Sequence, residues 1–340
     1  MIAGFDLVSF LASWTTMFGI YAILALTLSF ESGTAGVVNF GKVAFYGVGA
    51  YVGALASTYL TLLLGNVNIT SCPPYSVCGV NALLTLGPER PDLSLALMVL
   101  SLVLAFLLAS SLGYLLSYPI LRVGPAFVGF TLLSFGEILR IFFTNFELVG
   151  ASAGLMAIPT PFNAIQDPRL RDLSFSALVW AVAGLTYVVI RRATYSPLGR
   201  TLRALRDDEV AALCLGKHVP GFKAKVLFLG SGFSGVAGAL LAYYMTAVNP
   251  GMFVPAVTFD VWAMAMLGGM GNPAGALLGA ALLTLVDRTL RFLVPRIGVS
   301  FTSPDYLRWI FTGLLMIVIL LYKPRGILPE RSSIERGEGG

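Results

Sequence analysis

Apolar residues in this chain come in blocks long enough to cross a lipid bilayer, and that decides most of what it can fold into. A helix spanning a ~30 Å hydrocarbon core needs about 20 apolar residues. Stretches 7–30, 43–64, 93–117, 126–143, 173–190, 226–247 and 306–322 meet that demand. A longer stretch, 258–286, would measure about 44 Å as one straight helix. It is interrupted by "GGMGNP", Gly268 to Pro273, and glycine and proline break helices. It is expected as two half-helices folded back on each other, or as two short spans. Only 11% of the 340 residues are charged and 57% are hydrophobic, against roughly 25% charged in a soluble domain. The expected fold is an all-α, polytopic membrane protein of seven to nine transmembrane helices, in a single domain over 1–340. No Lys or Arg precedes the first apolar run. A cleaved signal peptide has a basic start and a shorter apolar stretch, so this run reads as a retained span.

Charge sets the orientation. The segment 191–225 carries Arg191, Arg192, Arg200, Arg203, Arg206, Lys217, Lys223 and Lys225, out of 22 basic residues in all. Cytoplasmic loops concentrate Lys and Arg, so this loop reads as cytoplasmic. Lys323, Arg325, Arg331 and Arg336 put the C-terminus on the same side of the cytoplasmic (inner) cell membrane. Counting back from 191 leaves the N-terminus outside, with 65–92 as an extracytoplasmic loop and 144–172 facing the same way. Arg288, Arg291 and Arg296 then also lie outside.

The inventory excludes several chemistries. There is one histidine, His218, and three cysteines, Cys72, Cys78 and Cys214. No HExxH or CxxC pattern occurs, so no metal site is expected. Cys72 and Cys78 lie on an oxidising side, where they form a disulfide or stay as two thiols. Asn68-Ile69-Thr70 in the same loop is a glycosylation sequon. The net charge of +5 is the positive-inside bias of a membrane protein, not a nucleic-acid footprint. "GVVNFGKVAF", Gly36 to Phe45, begins like a phosphate-binding loop, with Gly36, Gly41 and Lys42, but Val43 stands where Ser or Thr should hold magnesium. It joins two apolar spans rather than a strand and a helix. It reads as a hinge on the cytoplasmic side. Glycines permit the bend, Asn39 satisfies freed backbone groups, and Lys42 adds to the positive-inside charge. No cofactor is expected in this chain; any ATP belongs to a partner.

The loop "SPLGRTLRALRDDEVAALCLGKHVPGFKAK" is patterned as two short helices. Ser196 and Pro197 make a helix start. Leu198, Leu202 and Leu205 share one face, and Arg200, Arg203 and Arg206 another. Asp207, Asp208 and Glu209 place negative charge at a second helix start, which the helix dipole favours. Val210, Leu213 and Cys214 form its apolar stripe, and Gly216 is a natural stop. The loop is either a solvated charged face or a surface that docks a soluble partner.

Two other features bear on function. Gly49 and Gly53, like Gly275 and Gly279, are spaced for close helix packing. The break at Gly269, Gly271 and Asn272 is expected along a translocation path, since unwound backbone survives at membrane depth only in protein or beside water. Glu137 and Arg140 sit three residues apart inside a span. They pair with each other, or form a polar contact on the path for a zwitterionic cargo.

These motifs, in their order, resemble the permease subunits of branched-chain amino acid ABC importers. The coupling loop of that family is similar here at Ser196, Gly199, Arg200, Leu202, Ala204, Arg206, Asp207, Asp208, Glu209, Ala211, Ala212, Gly216 and Lys223. "LTLSFESGTAGVVNFGKVAFYGVGAYVGA", "LRVGPAFVGFTLLSFGEILRIFFTNF", "MLGGMGNPAGALLGAALL" and "YKPRGILPE" resemble further family segments. The resemblance implies an all-helical permease that catalyses no chemistry. It implies pairing with a second permease subunit, usually as a heterodimer. A cytosolic ABC ATPase subunit would bind at Gly199, Arg200, Arg203, Arg206, Asp207, Asp208, Glu209, Ala211, Ala212 and Gly216. An extracytoplasmic substrate-binding protein would deliver cargo, and Asn39 would sit near the path. Lys42 and Phe127 depart from the residues usual in the family, and the loop with Cys72 and Cys78 looks like an insertion. The same importer type carrying urea or short amides is the nearest alternative. An ATP-independent channel or secondary transporter would leave 196–216 unexplained.

Overall fold

The computed structural model describes residues 7–120, 125–297, 304–324 and 326–330. Residues 1–6 and the tail cations Arg325, Arg331 and Arg336 lie outside the described residues. The long helices are α1 (Leu7–Leu28), α2 (Lys42–Leu64), α4 (Pro91–Ile120), α5 (Pro125–Asn145), α6 (Pro168–Tyr195), α9 (Val219–Met245), α10 (Pro255–Gly268), α11 (Pro273–Ile297) and α12 (Pro304–Tyr322). Three short ones stand between them: α3 (Val77–Glu89), α7 (Pro197–Asp207) and α8 (Glu209–Cys214). Among the described residues, eight helices are long and apolar enough to cross a membrane. Each expected span lies on a helix, and α12, which covers 306–322, stands outside those eight. Most run longer than their apolar stretches, because polar residues at either end continue the same helix.

The helix α9 is the axis of the bundle. In its most apolar stretch 89% of residues are buried, against 22% for α5 at the periphery. Small residues bring its neighbours to backbone contact. A Cβ added at Gly49 of α2 would lie 2.0 Å from the Gly235 carbonyl oxygen of α9, and one at Gly238 would lie 1.9 Å from the Tyr46 carbonyl oxygen. On the other flank, a Cβ at Gly232 would meet Ser110 Oγ of α4 at 2.1 Å. Lipid tails give no hydrophobic drive for helices to associate, so such close approach is what holds a membrane core together.

The interrupted stretch forms an antiparallel hairpin of α10 and α11. Gly275 packs on the Gly268 carbonyl and Gly279 on that of Met264. Both arms are span-length once the turn Pro250–Met252 ahead of α10 is included, long enough by length and composition for two spans. Residues 269–272 form the tip. This tip, the α1–α2 junction, α7, α8 and the tail after α12 gather at one end of the bundle.

The opposite end carries α3, which has no counterpart among the expected elements, and a disulfide between Cys72 and Cys78 with Cα atoms 5.3 Å apart. There strands β1 (Leu155–Met156) and β2 (Ala247–Val248) pair antiparallel. Just beyond that ladder sit Ala157 and Thr246, at φ 56° and 52°, a region costly for residues with a Cβ. Both line a cavity of about 530 Å³, walled by Leu83, Phe162 and Phe175 and edged by Arg171 and Asp172.

Candidate functional site

The two short helices at the charged end form as their sequence dictates. Ser196 Oγ accepts from the Gly199 N–H at 3.4 Å, with Pro197 opening α7. Gly199 admits no side chain, since a Cβ would lie 1.9 Å from the Thr194 carbonyl oxygen. Leu202 and Leu205 are buried beneath α7, while Arg200 points outward. The chain breaks at Asp208, whose Oδ1 accepts from the N–H groups of Val210 and Ala211, both at 2.9 Å. Glu209 is tied to Lys223 at 2.6 Å. Gly216, at φ 74°, ends the unit as a left-handed residue. The apolar stripe of α8 is not packed on its own chain. Ala212 is buried, but Val210, Leu213 and Leu215 are 70%, 52% and 79% exposed, and Cys214 is exposed beside them. Ala211 is exposed too.

The inner edge of α7 is fastened to three other elements. Arg206 Nη1 donates to the Gly33 carbonyl and, at 2.8 Å, to Glu330 of the tail; its Nε donates to Asp207 at 3.1 Å. Arg203 donates to Glu330 at 3.2 Å and to the Thr194 carbonyl at 3.3 Å. Burial works to lower the Arg206 pKa, but the bonds and charges of Glu330 and Asp207 outweigh it and hold that pKa above its ordinary value. The tip of the α10–α11 hairpin joins the same junction. The Gly271 N–H donates to Ser29 Oγ at 3.1 Å, and a Cβ at Gly33 would lie 2.1 Å from the Gly271 nitrogen. Gly269 and Gly271, at φ 116° and 82°, make the turn. Asn272 donates to the carbonyls of Leu328 and Pro329, both at 3.3 Å. The bare backbone of this tip therefore faces protein on the sides given by Gly33 and the tail.

Above the junction lies the most consequential feature. The last turn of the first span, Ser29–Thr34, is a π-helix, a wide turn that often marks a functional site. It points Glu31 inward. The chain then runs non-helically from Gly36 to Gly41 before α2 begins at Lys42. The N–H of Val43 donates to Thr258 Oγ1 of α10 at 3.1 Å. Thr258 is ten residues from the end of α10, about 15 Å along a helix. The segment thus climbs well into the bundle instead of bending at its face. Lys42 is not a surface charge, as the hinge reading had it. Its Nζ lies 2.8 Å from Glu31 Oε1, with side chains 1% and 0% exposed, and 3.3 Å from the Gly230 carbonyl. An apolar span tolerates a cation only when such a partner neutralises it. Asn39 completes the cluster. Its amide donates to Glu31 Oε2 at 2.9 Å, its oxygen accepts from the Gly41 N–H at 3.0 Å, and its carbonyl accepts from Trp262 Nε1 at 3.0 Å. The expected role of Asn39, satisfying freed backbone, is what the geometry displays. Gly230 makes room, since a Cβ there would lie 1.8 Å from Glu31 Oε1.

Glu31 was absent from the sequence-derived candidates. The signal was available: it is an acid directly abutting an apolar run, with a lone lysine eleven residues on. Glu137 and Arg140 do pair with each other, Arg140 Nε lying 3.0 Å from both carboxylate oxygens. They stand apart from the buried cluster, on α5, with side chains 37% and 30% exposed. Phe127, Phe130, Ile138 and Ile141 of the same helix are exposed alongside them. His218 caps α9, its Nδ1 accepting from the Gly221 N–H at 3.1 Å.

A bundle of helices long and apolar enough to cross a membrane, with an unwound, ion-paired segment inside it and two short helices at one end, is the architecture of a polytopic membrane protein. The chain belongs to the family described as "Branched-chain amino acid transport system / permease component", whose model matches residues 10–320. It is similar to the probable branched-chain amino acid transport permease protein LivM of Methanocaldococcus jannaschii, with 30% identity over 97% of this chain and 95% of that protein. LivM of Salmonella typhimurium, a high-affinity branched-chain amino acid transport system permease protein, is 29% identical over 92% of this chain and 69% of its own length. BraD of Pseudomonas aeruginosa, of the same description, is 25% identical over 96% of both chains. No solved structure matches.

Proposed function

We propose that this chain is the membrane-spanning subunit of an ATP-driven importer for branched-chain amino acids, with α7 and α8 as the platform on which a cytosolic ABC ATPase subunit sits. The observation that carries this reading is the bare apolar stripe of α8. Val210, Leu213 and Leu215 stand exposed among Arg200, Asp207, Asp208 and Lys217, in the most basic segment of the chain. An apolar cluster rimmed by charge is the anatomy of a docking surface. The basic segment and the basic tail support a cytoplasmic position for this end, with the disulfide end outside. The family names supply the cargo class.

On this reading the chain binds no nucleotide. A second permease subunit, related but not identical, covers the exposed face of α5. The half-exposed Glu137–Arg140 pair then offers one charge of each sign to a zwitterion on the path between the two subunits, and Asn39 borders that path from within. An extracytoplasmic binding protein delivers cargo at the disulfide end. ATP-driven closure of the ATPases moves α7 and α8, and access alternates.

The test is co-purification with the ATPase followed by ATPase stimulation by loaded binding protein, across leucine, isoleucine, valine, urea and acetamide. Stimulation by the branched-chain amino acids is expected. Stimulation by urea or acetamide alone would reassign the cargo, and uptake without any ATPase would overturn the importer reading.

A further inference from the structure

The segment after α12 lies behind the proposed docking surface, yet it is bound in detail. The N–H groups of Ile327 and Leu328 donate to the carbonyls of Leu267 and Gly268 at 3.0 and 2.9 Å. These are the last carbonyls of α10, which a helix end leaves without partners. Asn272 grips the next two carbonyls of the segment. Gly326, at φ 81°, lies so close to Gly269 that a Cβ would meet its nitrogen and Cα at 2.6 Å. The segment then delivers Glu330 between Arg203 and Arg206 of α7. Glu330 is 22% exposed, and its two partners are 19% and 29% exposed. Charge-assisted bonds in such a setting are roughly twice as strong as neutral ones.

We propose that residues 326–330 act as a transmission strap: Glu330 ties α7 to the tip of the α10–α11 hairpin, so that displacement of α7 moves the hairpin with it. This rests on reading α7 and α8 as the ATPase platform. Three elements meet at one guanidinium, because Arg206 also holds the Gly33 carbonyl at the turn that carries Glu31. A push on α7 therefore reaches the hairpin through Glu330 and the buried ion pair through Gly33. Without Glu330, α7 keeps its apolar seat on Leu202 and Leu205 and still receives the ATPase, but its hold on the hairpin tip is reduced to the indirect route through Arg206, Gly33 and Ser29. Glu330 is thus a positioning residue.

The experiment uses the full complex with ATPase and binding protein in proteoliposomes. Glu330→Gln is expected to retain ATPase binding and basal ATP hydrolysis, while amino acid taken up per ATP hydrolysed falls at least fivefold. Hydrogen exchange supplies a readout that mere destabilisation would not mimic. In the wild type, ATP binding should change exchange in 196–216, 268–272 and 326–330 together; in Glu330→Gln the change in 326–330 should be lost and that in 268–272 reduced, while 196–216 still responds. Should Glu330→Gln fold poorly, Glu330→Asp keeps the charge on a shorter arm and should give intermediate coupling. Wild-type uptake per ATP in either folded variant, with the three segments still responding together, overturns the strap. A wild-type chain that binds no ATPase overturns the platform reading and the strap with it.

Discussion

Replacing Lys42 by Met tests whether the α1–α2 junction is held by charge or only by packing. Lys42 Nζ is 2.8 Å from Glu31 Oε1 and both side chains are essentially unexposed. Met preserves most of the side-chain volume, so the cavity contribution is small. What remains is a carboxylate left in a site with Asn39, among the described residues, as its one other side-chain partner. Removing one member of a buried pair costs about 3–5 kcal/mol, most of it the stranded charge. At about 2 °C per kcal/mol for a chain of this size, the melting temperature should fall by roughly 6–10 °C. Glu31→Gln strands the ammonium instead and should cost a similar amount. The double variant removes both charges, and such replacements are often close to neutral, so it should recover most of the loss. The assay is a fluorescence-detected thermal melt in detergent on all four proteins, with uptake measured in parallel. Single variants within about 1 °C of wild type would refute the reasoning. So would a double variant whose loss equals the sum of the two singles, since that would deny the pair any coupling.

Other outcomes follow from single contacts. Gly49→Ala should sharply reduce folded protein, because its Cβ would enter the Gly235 carbonyl, whereas Gly184→Ala, with nothing within 4 Å, should be neutral or mildly stabilising; size-exclusion yield separates them. Asp208→Ala removes the cap of α8, worth about 1 kcal/mol, and should weaken ATPase binding several-fold while leaving the melting temperature near wild type. Under non-reducing conditions only Cys214 should take a maleimide. Cys72→Ser should cost about 2 kcal/mol by freeing a short loop and should leave Cys78 and Cys214 both reactive.

The spans were legible because hydrocarbon imposes a length, and the helices α7 and α8 because Ser196-Pro197 and Asp208 are local signals that no distant contact overrides. The buried pair was not legible for a physical reason. Eleven residues is three helical turns, which would separate Glu31 from Lys42 by about 16 Å along a continuous helix. A wide π-turn and a non-helical segment fold the chain back and bring them into contact, and neither leaves a periodicity to read. Lys42 beside Gly41 therefore looked like a loop cation. The apolar stripe of α8 was read correctly as residues, while its exposure was invisible, because periodicity says which side is apolar and not what covers it. The tail strap was hidden for the same reason: "GILPE" has no pattern of its own and takes its conformation from the hairpin tip it pairs with.

The placement of irregular backbone constrains how this molecule can move. Close-packed cores are bistable rather than continuously deformable. The α2–α4–α9 core, locked by Gly49, Gly232 and Gly238 against neighbouring atoms, is the part least able to yield. The π-turn at 29–34, the segment at 36–41 and the turn at 269–272 lie instead on one continuous line. It begins at Arg206, reaches the π-turn at Gly33, and branches there, through Ser29 to Gly271 and through Glu31 to Lys42. Hydrogen bonds there run between elements rather than along one helix, so they can exchange partners without unwinding a span. A transporter driven from α7 would concentrate its rearrangement along that line and leave the glycine-locked core as the fixed frame. Cross-links that join α2 to α9 near Gly53 and Ala239 should then be tolerated in a working complex, while one that joins the turn 29–34 to the tip 268–272 should arrest uptake with ATPase binding intact. Equal arrest by both would show that the core itself flexes.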